Sequence, residues 1–91
     1  MSVYIDTIKG GIQYINATGR ATEDYRIYLH KEGSGEILGT TLVDKQGNYQ
    51  LNTQEIILKN FKNQTINVVA RETADNENFS DWSLSKAVYI F

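Results

Sequence analysis

The sequence predicts an all-β fold, a seven-stranded antiparallel sandwich, on three observations. Apolar and polar residues alternate with a period of two along almost the whole chain, the pattern of a strand with one buried face. The alternating stretches are rich in Ile, Val, Thr and Tyr, which suit a pleated, half-buried surface. Clusters of Gly, Asn and Asp interrupt them at short intervals, as turns between strands do. Seven short strands at this spacing point to two packed antiparallel sheets rather than to a βαβ fold.

The elements follow in order. The first strand is expected over 2–8 ("SVYIDTI") and, after "KGG", the second over 11–18 ("GIQYINAT"). The third, 25–31 ("YRIYLHK"), turns Tyr25, Ile27 and Leu29 to the core and Arg26, Tyr28 and His30 to solvent. The fourth and fifth, 36–43 ("EILGTTLV") and 48–52 ("NYQLN"), flank "DKQGN", with Tyr49 and Leu51 pointing inward. Residues 53–61 ("TQEIILKNF") break the period and read as a crossing between sheets that contains a short helical turn, with Ile56, Ile57 and Phe61 inward. The sixth strand, 65–73 ("TINVVARET"), buries Ile66, Val68 and Ala70 and leaves Asn67 and Arg71 outside. The last, 84–91 ("LSKAVYIF"), has Leu84, Val88 and Ile90 on one side and Ala87, Tyr89 and Phe91 on the other. Both sides are apolar except for Ser85 and Lys86, so this strand is expected to be covered twice or to meet a neighbouring domain.

Ninety-one residues bound the chain to one domain, 1–91, which buries a little over about 60% of its unfolded surface. The chain has no cysteine, so a disulfide framework and a thiolate metal site are both excluded. Nine basic and eleven acidic residues are spread along it, for a net charge of −2. No basic run supplies the electrostatic footprint of a nucleic-acid binder. "MSVYIDTIKG" lacks the parts of a signal peptide, and no apolar run reaches spanning length. The expectation is a protein without membrane insertion, either complete in itself if Met1 is authentic or a module of a longer exported chain.

"GEILGTTLVDKQGNYQL" (35–51), preceded by "IYL" and followed by "INVVARETADNENFS" (66–80), resembles bacterial Ig-like repeats. Such modules run as a strand, a "G-x-x-L-G-T-T" hairpin, a "D-x-x-G-x-Y" turn and a late "V-x-A-x-D-x-x-x-N-x-S" segment. The resemblance spans roughly residues 12–82 and departs at Glu72 and Thr73, where those repeats usually carry a single acid. "NENFSDWS" is also similar to the late loop of fibronectin type III domains, which share the architecture. The resemblance implies an Ig-like sandwich, and a spacer or binding unit of surface proteins, adhesins, secreted enzymes or phage virions, although a fold hosts many roles.

The segment "VDKQGNYQL" (43–51) raises the question of metal. An EF-hand loop needs its glycine at the sixth position; counted from Asp44, Gly47 falls two places early. A hairpin turn accounts for the residues better, with Asp44 accepting backbone N–H groups and Gly47 or Asn48 at positive φ. "ADNENFSD" (74–81) is the stronger Ca²⁺ candidate, with Asp75, Glu77 and Asp81 beside Asn76 and Asn78. The expectation for it is a solvated loop held by its own Asx side chains, and no cofactor. His30 is the single histidine, so neither a His-based triad nor a multi-histidine site can be assembled, and no enzyme is expected. The sequons at 16–18, 63–65 and 78–80 read as chance matches in an Asn-rich chain.

Aromatic residues are the remaining source of binding chemistry. Arg26, Tyr28 and His30, with Trp82 on the "SDWS" loop, are the expected binding group, able to stack on sugars or anchor a protein. The leading expectation is therefore a monomeric, non-catalytic spacer or adhesion module of a bacterial surface or secreted protein, with neighbouring domains as partners. Its rivals are a phage virion accessory protein, a carbohydrate- or host-protein-binding module, and self-assembly by strand addition at the outer strands 2–8 and 84–91.

Overall fold

The computed structural model describes residues 3–91, so Met1 and the first residue of the expected strand 2–8 lie outside the described residues. Seven strands form: β1 (Tyr4–Gly11), β2 (Tyr14–Arg20), β3 (Arg26–Lys31), β4 (Ile37–Leu42), β5 (Asn48–Thr53), β6 (Gln64–Thr73) and β7 (Lys86–Ile90). They make a three-stranded sheet, β1-β2-β5, and a four-stranded sheet, β4-β3-β6-β7. Every pairing within the sheets is antiparallel. The inward residues expected on β5 and β6, and Ile27 and Leu29 on β3, are buried as expected. Ile15, Ala17, Ile27, Leu29, Tyr49, Leu51, Ile66, Val68, Ala70, Val88 and Ile90 all point into one shared core.

The ladder registers fix two poles. Tyr4 pairs with Arg20 and Arg20 with Asn48 at one end of the first sheet, while Gly11 pairs with Tyr14 at the other. In the second sheet Arg26 lies between Leu42 and Thr73, and Gln64 meets Ile90 at the far end. The head of the molecule thus gathers Tyr4 and the loops around 21–25, 43–47 and 74–78. Its tail gathers the 11–14 turn, the crossing at 54–63 and Phe91. The long dimension is 34 Å and the cross-section 23 × 21 Å.

β1 and β7 belong to different sheets but lie side by side and point the same way. Phe91 N–H donates to Gly11 O at 3.0 Å, and at the other end Leu84 and Lys86 border Val3–Asp6. The approach is close enough that a Cβ on Gly10 would sit 1.8 Å from Tyr89 O. β1 and β7 are sheet edges, as the strand-addition reading requires, yet each lies against the other. On the opposite side Thr53 Oγ1 donates to Leu38 O at 2.7 Å, tying β5 to β4.

Two expectations are corrected. The crossing holds a 3-10 helix at Ile56–Phe61, but its buried residues are Leu58 and Phe61. Ile56 faces outward, 73% exposed, because a three-residue turn brings Leu58 and Phe61 to one face and leaves Ile56 off it. In the last strand only Val88 and Ile90 are buried; Leu84, Tyr89 and Phe91 are exposed. Tyr89 and Phe91 meet edge to face at 4.9 Å, and this side of β7 is not covered by the described residues.

Candidate functional site

The turn at 43–47 is a turn. Asp44 Oδ1 accepts the N–H groups of Gln46 and Asn48, both at 2.9 Å, and Gly47 takes φ +81°, where a Cβ would be strained. Glu55 stands at the twelfth place of a loop counted from Asp44, where an EF-hand would want its bidentate acid. It follows the whole of β5, however, and so lies at the tail, while Asp44 is at the head.

The 74–81 loop is organised by Asp75. Its Oδ1 accepts from Glu77 N–H and Asn78 N–H at 2.9 Å, and its Oδ2 accepts from Asn78 Nδ2 at 2.9 Å. These backbone and amide donors hold its carboxyl well below the usual carboxylate range. Among the described residues no three His, Cys, Asp or Glu side chains converge as metal ligands would, and Asp75, Glu77 and Asp81 are not brought together.

The expected aromatic group is assembled on the outer face of the four-stranded sheet, with changes. Tyr28 and His30 project from β3 and stand opposite Arg71 and Val69 of β6. The segment after β6 folds back along it: Thr73 bridges Phe79, Ser80 N–H donates to Glu72 O, and Ser83 N–H donates to Ala70 O. This lays Phe79 and Trp82 over the sheet. The Arg71 guanidinium is held between them, 4.0 Å from the Phe79 ring centre and 4.6 Å from that of Trp82, a cation–π sandwich. Tyr28 meets Phe79 edge to face at 5.9 Å, and its hydroxyl donates to Asn76 Oδ1 at 2.8 Å.

His30 is not a surface residue. It is only 3% exposed, lying under Trp82 with ring centres 5.0 Å apart and planes at 81°. Its Nδ1–H donates to Gly35 O at 3.0 Å, which makes Nε2 the unprotonated nitrogen; that nitrogen is buried without a partner. Burial pushes the imidazole pKa down, the Gly35 hydrogen bond pulls it up, and the Arg71 charge lowers it further. Arg26 lies outside the cluster, its Nη1 donating to Thr40 Oγ1 at 3.2 Å. Beside Trp82, the glycine hairpin at Gly33 and Gly35 and the side of Val69 enclose a shallow cleft of about 250 Å³.

Arg71, Phe79 and Glu72 were not in the expected group. Arg71 was legible as the outward residue opposite Tyr28, but the pairing of β3 with β6 was needed to see it. Glu72 is buried and accepts from Thr22 N–H at 2.7 Å and Thr22 Oγ1–H at 2.8 Å. It ties β6 to the β2–β3 loop, which gives the departure at this position a structural role.

Comparison with known proteins supports the architecture. No protein-family model matches the chain, and no curated protein does. Among solved structures it is similar to a bacterial immunoglobulin-like domain from the M. primoryensis ice-binding adhesin. The TM-score is 0.57 at 17% identity, over 99% of this chain and 96% of that one. The molecule is an immunoglobulin-like β-sandwich, and its fold is that of the bacterial immunoglobulin-like domains.

Proposed function

We propose that this domain is a non-catalytic spacer module of a bacterial surface or secreted protein, with neighbouring domains as its first partners. One observation carries the reading: Tyr4 and Phe91 lie at opposite poles, with β1 and β7 side by side and parallel between them. A chain that arrives at the head and leaves at the tail adds the 34 Å length of the module to whatever it joins. Tension applied at the two ends slides β1 against β7, loading their contacts together rather than peeling them singly. The likeness to a domain of an adhesin supports the same reading. Single-molecule pulling through the two ends tests it. The expected trace is one abrupt rupture per domain; gradual extension at low force would argue against a load-bearing spacer.

A second reading rests on the outer sheet face. Trp82 is 44% and Phe79 38% exposed, beside Tyr28 and a guanidinium already fixed between rings. Pre-ordered aromatic surface of this kind suits adhesion to a carbohydrate or host protein. A screen against glycans and matrix proteins, with Tyr28→Ala and Trp82→Ala as controls, tests it, and no binding at millimolar ligand would remove it. Within either reading the setting is extracellular. A phage virion is the alternative setting, and virion genes beside the coding region would favour it.

A further inference from the structure

We propose that the two poles are complementary, and that a lysine-rimmed apolar groove at the tail seats the acidic head of a second copy of this chain. The inference builds on the pole geometry of the spacer reading and names the contact that successive modules would make.

At the tail a groove of about 280 Å³ runs over Leu58, between Ile12 and Phe91, with Lys59 and Lys62 along its rim. Its walls are anchored rather than frayed: Phe91 N–H donates to Gly11 O at 3.0 Å, and Gln13 N–H donates to Phe91 O at 3.4 Å. Ile12 nevertheless stands 82% exposed. Apolar surface built into a fixed shape and left open to water marks a contact site. The tail's acids, Glu32, Glu36 and Glu55, do not line this groove.

The head loops have the opposite character, being acidic apart from Lys45, with Arg20 and Arg26 at the strand ends beneath them. Glu23, Asp24, Asp44, Asp75 and Glu77 lie in these loops. Among these, Asp24 is paired with Lys45 at 2.8 Å, and among the described residues no ion pair offsets the others. Because the groove and the acidic loops lie at opposite ends, a copy cannot satisfy its own groove, and the matching contact is head to tail. A pole 23 × 21 Å across offers on the order of 400 Å² per partner, well under the ~800 Å² per partner of a stable complex. Free copies therefore associate weakly, while a short tether, which supplies millimolar effective concentration, would close the contact.

Amide NMR spectra of the whole chain, recorded as concentration rises to about 1 mM, test this. Signals of Ile12, Lys59 and Phe91 at the tail and of Asp44 and Glu77 at the head are expected to move together. The shifts should shrink in high salt and fall about threefold or more in a Lys59→Glu, Lys62→Glu double variant whose spectrum remains dispersed. Spectra that do not change with concentration, or changes confined to one pole or to the Tyr28–Trp82 face, would overturn the proposal. Such a result leaves the pulling experiment, and with it the spacer reading, untouched.

Discussion

His30 shows how a single side chain can be read correctly by type and wrongly by place. Alternation along β3 puts it on the outer face, which is where it is, yet Trp82 covers it. Its neutral ring makes stability depend on pH in a defined direction. The folded-state pKa is depressed below the ordinary 6.5, so the unfolded chain takes up a proton first as pH falls. Stability is complete above pH 6.5 and declines below it until the folded ring also protonates. Thermal melts between pH 8 and 5 are expected to show this decline, and His30→Gln to flatten it; an unchanged slope in the variant would assign the effect elsewhere. Asp75 acts in a lower window. Its pKa is held below the ordinary 3.8, so its contribution is present above that value and lost as pH falls through and below it. Asp75→Ala is expected to remove that acid-range loss without altering the decline near neutrality. Trp82→Ala uncovers His30 and removes one face of the Arg71 sandwich, at a cost of about 1–3 kcal/mol in urea unfolding. Glu72→Gln weakens two charge-assisted hydrogen bonds to Thr22 and is expected to cost about 1–3 kcal/mol.

Among the elements, the strands were legible because apolar and polar residues alternate along most of the sequence, and the inward residues Ile27, Leu29, Tyr49, Leu51, Ile66, Val68 and Ala70 followed from it. The 3-10 helix was legible only as a break, since its three-residue turn selects Leu58 over Ile56, a distinction that composition does not carry. The 79–85 segment was hidden for a different reason. From Ser80 to Ser83 three residues span what Glu72 to Ala70 span in two, and the same slip recurs between Ser83 and Lys86. Each slip shifts the alternation by one residue, so counting back from Val88 and Ile90 placed Leu84 inward, where it is exposed, and gave Trp82 no face. Contact between β1 and β7 was equally invisible, because it joins residues about eighty positions apart through backbone. Gly10 is its most exacting point. Gly10→Val would set a Cβ against Tyr89 O and force the two strands apart, with an expected loss of about 1–3 kcal/mol in chemical denaturation. Retention of full stability would show that the strands are not held at this distance.

At the scale of the whole molecule, the first described strand starts at the head and the last ends at the tail. Seven strands that run alternately from head to tail and back place Tyr4 and Phe91 at opposite poles, and the parallel β1–β7 flank joins those poles along one side. The spacer reading and the head-to-tail contact both depend on that placement, whereas the aromatic face does not. Because the chain has no cysteine, a paramagnetic label can be placed at a single introduced thiol, at Gln46→Cys in the head turn or at Lys59→Cys beside the tail groove. The label at position 46 is expected to broaden the amide signal of Tyr4 and spare that of Phe91, and the label at position 59 to do the reverse. Broadening of Tyr4 and Phe91 by the same label would contradict the account.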